Sequence, residues 1–275
     1  MKKSQFSYAI WPWGTKTREQ ATEAARDIAA IGYTSLEATK GAMLAYDFDH
    51  KEYRAMLNGY GLRAVSFFFG IPAIGNEAAL FDTLEKELDF AANVGAELVT
   101  LQGTFGRPEV MDEAARAKNL ESMHRFARIA KSFGLKTNAH PHVNTYFMYE
   151  DEIDYVMNNA DRDLISLAPD TGHIAAAGGD PVAVVRRYAD RIGFTHLKDY
   201  KLASDGTGAP WVGSGIPIMS CFHPMGEGVL DFAEILKILE AAEYAAPLCV
   251  ELDSPASNTE GARKNYDYLA KYIKD

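Results

Sequence analysis

Short runs of apolar and β-branched residues alternate with longer amphipathic segments along the whole chain. In the longer segments apolar residues recur every three or four positions, which is typical of helices that bury one side. Such helices are predicted at residues 17–31, 77–94 and 112–133. The short runs have the length of buried strands, and eight are predicted, at residues 7–11, 33–39, 63–69, 96–102, 136–140, 164–170, 192–198 and 247–253.

Glycines mark the passage from helix to strand. Gly32, Gly61, Gly95 and Gly134 each lie one or two residues before a predicted strand. A glycine just past a helix supplies the left-handed conformation that ends it. Strand-then-helix units repeated without a linker predict an α/β fold, a (β/α)8 TIM barrel that forms a single domain over residues 1–275. A doubly wound open sheet more usually stops at roughly five or six strands.

Residues 200–228 interrupt the alternation after the seventh predicted strand with a stretch rich in glycine and proline. Long loops inside compact domains are uncommon and tend to be functional, so this segment is predicted to cover the C-terminal mouth of the barrel. An Ω-loop without a role in binding, or a contact between subunits of a homo-oligomer, is the alternative.

The acidic composition narrows the class of partner. A formal net charge of −10 and a pI near 5.2 argue against a nucleic-acid or anionic-membrane surface and favour a small neutral or polar ligand. A DNA-repair endonuclease would need a positive groove for phosphates. Cys221 and Cys249 form no CxxC pair and the first residues lack a signal-peptide core, so a reducing cytoplasm is the expected location.

Polar residues gather at the ends of the last four predicted strands, where the active sites of such barrels lie. These strands end in NAHPH, APDTGH, THLKD and VELDS. One residue from each supplies two imidazoles and two carboxylates for a single cation: His140, Asp170, His196 and Glu251. Mixed nitrogen and oxygen ligands favour Mn or Co, with Zn or Fe(II) as alternatives, over Mg. Singly, each residue has a structural interpretation, such as Asp170 capping the turn that follows it.

The same motifs resemble those of the xylose-isomerase-like sugar isomerase and epimerase barrels. The segments that carry the resemblance lie between residues 134 and 253 and read GLKTNAHPH, APDTGH, FTHLKD, MGEGVLDF and LCVELD. The resemblance implies that Asp170, His196 and Glu251 bind the metal. It further implies that three neighbouring residues contact substrate or support the ligands, namely His142, His173 and Lys198.

His140 stands where much of that family has a first glutamate ligand. Isomerases and epimerases of this type are understood to exchange protons through two metal-bound glutamates, of which only Glu251 remains here. The segment HPHVNTYFMYEDEID is similar to the inosose-dehydratase branch, so the resemblance favours dehydration of a keto-sugar or keto-cyclitol over isomerisation or epimerisation. A non-catalytic sugar-binding or partner subunit is the alternative from another class.

Proton abstraction next to a ketone needs a base and a positive charge that stabilises the enediolate. Glu251 or His140 would take the proton, while His142, His173 and Lys198 would hold hydroxyls or protonate the departing oxygen. Further substrate contacts are predicted at strand ends and in the long loop: Trp11, Trp13, Glu37, residues 67–69, Gln102, Phe222 and His223. For Glu37 and Gln102 the alternative is a salt bridge across the mouth. For the aromatic residues the alternative is packing in the barrel.

Overall fold

The structure, a computed structural model, describes residues 1–202, 210–211 and 215–273. Seven parallel strands form one curved sheet in the order β6-β5-β4-β3-β2-β1-β9, and β7 and β8 pair separately as an antiparallel hairpin. In chain order the strands are Phe6–Ala9 (β1), Ser35–Thr39 (β2), Arg63–Gly70 (β3), Leu98–Gln102 (β4), Lys136–His140 (β5), Ile165–Leu167 (β6), Asp199–Tyr200 (β7), Phe222–His223 (β8) and Leu248–Val250 (β9).

Residues 192–198 close the barrel between β6 and β9, although they form isolated pairs rather than a continuous ladder. Ile192 pairs with Leu167, and Leu197 pairs with Val250. The backbone N–H of Leu197 donates to the Cys249 carbonyl at 2.9 Å, which fixes this closing segment against the last strand. The architecture is therefore the predicted (β/α)8 barrel, with its seventh strand irregular.

Helices separate the strands and pack around the outside of the sheet. The predicted helix over residues 77–94 is divided into two, with Asp82 and Thr83 between them. In chain order the α-helices are Arg18–Ile31 (α1), Lys40–Ala45 (α2), His50–Gly59 (α3), Ala78–Phe81 (α4), Leu84–Val94 (α5), Glu113–Ser132 (α6), Glu150–Asn159 (α7), Thr171–Ala176 (α8), Pro181–Arg187 (α9), Phe232–Ala241 (α10) and Asn258–Tyr272 (α11). Among the described residues, no helix is both long and apolar enough to cross a lipid bilayer.

The hairpin of β7 and β8 lies within the loop predicted at residues 200–228, of which residues 203–209 and 212–214 fall outside the described chain. Its base is held by Asp199, a buried residue whose carboxylate accepts backbone hydrogen bonds from four residues. The donors are Tyr200, Gly226, Gly228 and Leu230, at 2.9 to 3.2 Å. A side chain at Gly228 would overlap the Asp199 carboxylate, so the close approach requires glycine there.

Candidate active site

Four buried side chains with metal-binding atoms converge at the C-terminal end of the barrel. His140 ends β5 and Asp170 caps α8, where its Oδ1 accepts the His173 backbone N–H at 2.7 Å. His196 lies in the closing segment, and Glu251 directly follows β9. Ligand atoms of His140, Asp170 and His196 lie within 4.8 Å of one another, as do those of Asp170, His173 and Glu251. The two groups share Asp170 and together contain all four predicted ligands.

Glu37, in β2, orients His196. Its Oε2 lies 2.6 Å from His196 Nε2, and its Oε1 accepts a hydrogen bond from Ser66 Oγ at 2.7 Å. Because a carboxylate accepts, Nε2 carries the hydrogen and Nδ1 offers its lone pair. Glu37 thus holds the His196 ring on the side that faces away from the cluster, as outer carboxylates of metal sites do. This position corrects the prediction that Glu37 contacts substrate and agrees with the salt bridge proposed as its alternative.

Buried ligand atoms around this point have no hydrogen-bond partner in the described part of the chain: Asp170 Oδ2, His196 Nδ1 and Glu251 Oε2. His140 Nε2 faces the same point and lies 3.8 Å from Asp170 Oδ2. His196 Nδ1 and Glu251 Oε2 lie 2.6 Å apart without the angles of a hydrogen bond. Unpaired buried polar atoms are costly, and one cation among them would remove that cost. The residues present therefore fit a divalent metal held by mixed nitrogen and oxygen ligands.

Charge around the cluster is negative. Glu37, Asp170, Glu251 and Asp253 are buried or nearly so, and Lys198 Nζ ion-pairs with Asp253 at 2.8 Å, with Asp170 at 3.2 Å and with Glu251. Burial raises the pKa of Glu251 to about 8, although Lys198 opposes the shift. Burial alone would lower the pKa of Lys198, but these carboxylates raise it and keep the ammonium charged. The excess of carboxylates favours a further cation.

The same preference for positive charge appears at His196. Burial alone would lower the pKa of this imidazole, but the carboxylates of Glu37 and Glu251 raise it to about 10. A metal cation on Nδ1 would take the place of the proton that this environment stabilises.

His142 and His173 form a second pair of imidazoles beside the four ligands. Their ring centroids lie 3.6 Å apart. His142 Nδ1 lies 2.8 Å from the Val143 carbonyl, so Nδ1 carries the hydrogen and Nε2 keeps a lone pair. Burial lowers the pKa of both rings, which leaves them neutral at neutral pH. Neither ring nitrogen of His173 has a partner among the described residues, so both remain available to a ligand.

Two of the predicted substrate contacts lie at this cluster. Phe222 covers it from the hairpin, with its ring 4.9 Å from that of His173 and 4.4 Å from Lys198 Nζ. Gln102 ends β4 in register with His140, and its buried Nε2 has no partner in the described chain. Each can therefore contact a molecule bound between these side chains.

His223 faces the opposite side of the hairpin from Phe222, because side chains alternate along a strand. There it lines a cavity of about 250 Å³ together with Glu227 and Lys264. Phe222 lines this cavity and also covers the cluster, so His223 lies beside the cluster rather than in it.

The prediction for Trp13 is corrected by its packing. Trp13 Nε1 donates to Asp27 Oδ2 at 3.1 Å and its ring packs edge-on against Tyr8, within the core between β1 and α1. Trp11 instead faces the cluster, with its ring 5.7 Å from that of His196 and its Nε1 donating to Asp253 at 3.1 Å. The two tryptophans diverge because they lie in one turn of 3₁₀ helix around Pro12.

Of two further residues of the cluster, Asp253 was not predicted, and Phe68 was predicted only together with Phe67 and Phe69. Asp253 lies two positions after Glu251, as His142 lies two positions after His140. Residues at this spacing on a strand face the same side, so the spacing could have indicated Asp253. Phe68 lies over His196, with ring centroids 6.3 Å apart and an interplanar angle of 24°. Side chains on a strand face alternate sides, so Phe68 faces away from Phe67 and Phe69, which are buried in the core outside the barrel. This alternation could have distinguished Phe68 in the sequence.

Comparison with known proteins supports the same architecture. The family model described as "Xylose isomerase-like TIM barrel" matches residues 25–272. The inosose dehydratase of Clostridium beijerinckii is 30% identical over 217 residues, which cover 71% of each chain. The inosose dehydratase of Geobacillus kaustophilus is 29% identical over 271 residues, which cover 90% of this chain and 86% of that one. The crystal structure of the IOLI protein with a binding zinc atom is 14% identical and covers 100% of both chains, with a TM-score of 0.80.

The fold and the cluster at the carboxyl ends of its strands define a TIM barrel of the kind that carries its chemistry at the C-terminal mouth. More specifically, the chain belongs to the xylose isomerase-like TIM barrel family. The resemblance seen in the sequence motifs is thereby confirmed, together with the fold that it implied.

Proposed function

We propose that this protein is a metal-assisted dehydratase that removes water from a keto-cyclitol or related keto-sugar. The observation that carries the proposal is the gathering of the buried side chains of His140, His196 and Glu251 around Asp170, with two neutral histidines beside them. The relatives named inosose dehydratases support this reaction class over isomerisation or epimerisation. The runner-up function is a keto-sugar isomerase or epimerase on the same site.

His140, Asp170, His196 and Glu251 would hold the cation, with Mn or Co preferred and Zn or Fe(II) as alternatives, because nitrogen and oxygen donors are mixed. When bound, the cation supplies the positive charge that stabilises an oxyanion next to the reacting carbon, a contribution of several kcal/mol. Glu37 fixes the His196 tautomer. The chain itself contributes a set of ligand atoms whose positions are fixed by the strands and loops of the barrel.

His142 is the base that the geometry favours. Its Nδ1 is occupied by the Val143 carbonyl, so the lone pair of Nε2 is free to take the proton from the carbon next to the ketone. Its lowered pKa keeps the ring neutral and able to accept that proton at neutral pH. Glu251 and His140, proposed earlier as bases, would be engaged as ligands instead.

His173 would hydrogen-bond the hydroxyl on the neighbouring carbon and hold it beside His142. The proton that His142 takes from carbon would be returned to this hydroxyl, which leaves as water, so the C–H and C–O bonds break, a C=C bond forms and both histidines end neutral. Lys198 remains an ammonium that holds the carboxylates of Asp170, Glu251 and Asp253 in place. Phe222 covers the site and excludes water from it.

The test begins with metal content and turnover of wild type and Glu251→Gln. We expect about one equivalent of a divalent metal in wild type, far less in the variant, and conversion of an inosose to its dehydrated diketone by wild type alone, followed by ultraviolet absorbance and mass spectrometry. The matched control is Glu240→Gln, on the exposed side of α10, which should retain both metal and activity.

A change of configuration or of carbonyl position without loss of water would instead establish the isomerase or epimerase. Wild-type protein that holds no metal after addition of Mn or Co, and that turns over neither substrate class, would overturn the enzyme proposal and leave the sugar-binding subunit.

A further inference from the structure

A second cavity, of about 460 Å³, opens at the opposite end of the barrel from the catalytic cluster. Its walls are formed by residues at the beginnings of the strands, including Ser35, Arg63, Leu98 and Lys136, which are the first residues of β2 to β5. Its volume is within the range of roughly 300–1,000 Å³ found for small-molecule pockets. Nothing in the dehydration chemistry uses this space.

The cavity reaches into the barrel interior along β5. Lys136, Asn138 and His140 alternate along that strand, so their side chains share the inner face, with Lys136 at the N-terminal opening and His140 at the catalytic end. At a rise of roughly 3.3 Å per residue, Asn138 lies about 7 Å below His140 along the strand. The two ends of the barrel are thus separated by little more than one layer of side chains.

Asn138 provides an unsatisfied polar group at the inner end. It is 1% exposed, lines the cavity, and its Oδ1 has no hydrogen-bond partner among the described residues. Its Nδ2 makes two long contacts, each 3.4 Å, with the carbonyls of Val99 and Lys136. Ser166 lines the same wall beside it, in register with Asn138. A buried amide with free bonding capacity is suited to a hydroxyl group of a ligand.

The opening carries positive charge. Arg63 and Lys136 both line it and are exposed, and in the described part of the chain neither forms an ion pair. Glu97 lines it as well and contributes one negative charge, so the two cations exceed the acids at this opening. On a chain with a formal net charge of −10 such a local excess attracts anions.

We propose that the N-terminal opening of the barrel is a binding site for a small hydroxylated anion, a carboxylate or a phosphate monoester. Its acidic group lies between Arg63 and Lys136, where the guanidinium offers paired donors. Its hydroxyls reach inward to Asn138 and Ser166. This site binds independently of the metal cluster, so it exists whether or not the proposed dehydration is correct.

The test measures binding of citrate and of glycerol 3-phosphate by calorimetry, with sorbitol as the uncharged probe. We expect one equivalent of at least one anion to bind to wild type and sorbitol to bind much more weakly. Arg63→Met combined with Lys136→Met should weaken the anion at least tenfold. Both side chains are exposed, so the variant should unfold at the same temperature as wild type.

The matched control is Lys51→Met combined with Arg263→Met, which removes the same charge from exposed helical positions and should leave binding unchanged. Glu251→Gln should also leave it unchanged, because that residue lies at the other end of the barrel. A preference between the two anions identifies which acidic group the site takes. No binding of either anion, or an equal loss in the Lys51 and Arg263 control, would overturn the proposal.

Discussion

The hydrogen bond between Glu37 Oε2 and His196 Nε2 decides what His196 can bind. It places the hydrogen on the nitrogen that faces away from the cluster, and Ser66 holds the other carboxylate oxygen. Thr100 Oγ1 lies 3.1 Å from Ser66 Oγ, which extends the support across β3 into β4. A ligand held in this way does not have to change its tautomer or ring orientation when a cation arrives.

Glu37→Gln should therefore weaken binding of the proposed cation by about 10- to 100-fold, since loss of an outer carboxylate costs that much in other metal sites. The measurement is the dissociation constant of Mn or Co by calorimetry. Glu87→Gln is the matched control, because Glu87 is equally buried but pairs with Lys40 on the outside of the barrel. An unchanged affinity in Glu37→Gln would show that His196 is not oriented by this carboxylate.

At this scale the sequence predicts which residues meet but not which way each faces. His140, Asp170, His196 and Glu251 were found because strand ends in a barrel share one rim. Trp13 was placed at the mouth and lies in the core, because a turn of three residues around Pro12 reverses the direction of neighbouring side chains. Asp253 lies within the strand predicted at residues 247–253, but its place in the cluster depends on its ion pair with Lys198, which is distant in sequence.

The segment that follows β5 is built to hold His142. The His142 N–H donates to the Phe147 carbonyl at 2.8 Å, and Thr145 Oγ1 donates to the His142 carbonyl at 2.8 Å. Arg107 reaches over from the loop after β4, donates to the Thr145 carbonyl at 3.0 Å and forms a two-pronged ion pair with Glu152. Glu152 in turn accepts the backbone N–H groups that begin α7. The loop is thus tied to both neighbouring elements.

Arg107→Met should lower kcat of the proposed reaction by about 10- to 100-fold, because small displacements of a base carry such costs. The Michaelis constant should change less, and Arg107→Lys should recover part of the rate. Imidazole ¹⁵N NMR should show His142 losing its single tautomer in the methionine variant, a signal that mere loss of stability would not produce.

Arg116→Met is the control for this prediction, since Arg116 pairs with Asp151 in the same first turn of α7 but on its exposed side. Its rate should stay within about threefold of wild type, as expected for a largely exposed ion pair. Equal losses in both arginine variants would mean that the loop acts through general stability alone.

At the scale of elements, periodicity predicted the central strands and the long helices closely. β5 coincides with its prediction, and α1 and α6 each lie within one residue of theirs at both ends. In the irregular closing segment, Gly193 packs against the Asn138 side chain, where a Cβ would overlap it. Such a contact spans 55 residues of sequence and leaves no local pattern.

A buried arginine holds the start of the segment that closes the barrel. Arg191, immediately before the closing segment, is 8% exposed and donates to the carbonyls of Met157, Ala160 and Ile165. These carbonyls belong to the end of α7, the loop after it and the start of β6. One guanidinium therefore ties the start of the closing segment to α7 and β6, the elements that precede it in the chain.

Arg191→Met should lower the free energy of unfolding by about 2 to 4 kcal/mol, because three buried carbonyls lose a charged donor. Urea unfolding followed by circular dichroism measures the change. Arg162→Met is the control: Arg162 pairs with Asp190 nearby, but both side chains are well exposed, and its loss should cost less than about 1 kcal/mol. A small change in the free energy of unfolding of Arg191→Met would mean that other contacts hold the closing segment.

For the molecule as a whole, the sequence predicted a barrel and the end at which its buried polar cluster lies, because strand and helix alternate and polar residues follow the strands. It gave no sign of the cavity at the other end. Lys136 and Arg63 read as ordinary exposed residues at strand starts, and Asn138 as one polar residue within a strand. Their common cavity exists only through the closure of the sheet into a ring.

The two residues of β8 have a consequence for how proteins of this shape diverge. Phe222 covers the catalytic cluster and His223 faces the neighbouring cavity, and a one-residue shift of the strand would exchange the two. A shift in the direction that brings His223 to the position of Phe222 would thus replace an aromatic cover with a group that can carry a proton. A new chemistry at the mouth could arise in one evolutionary step, with every proposed metal ligand left as it is.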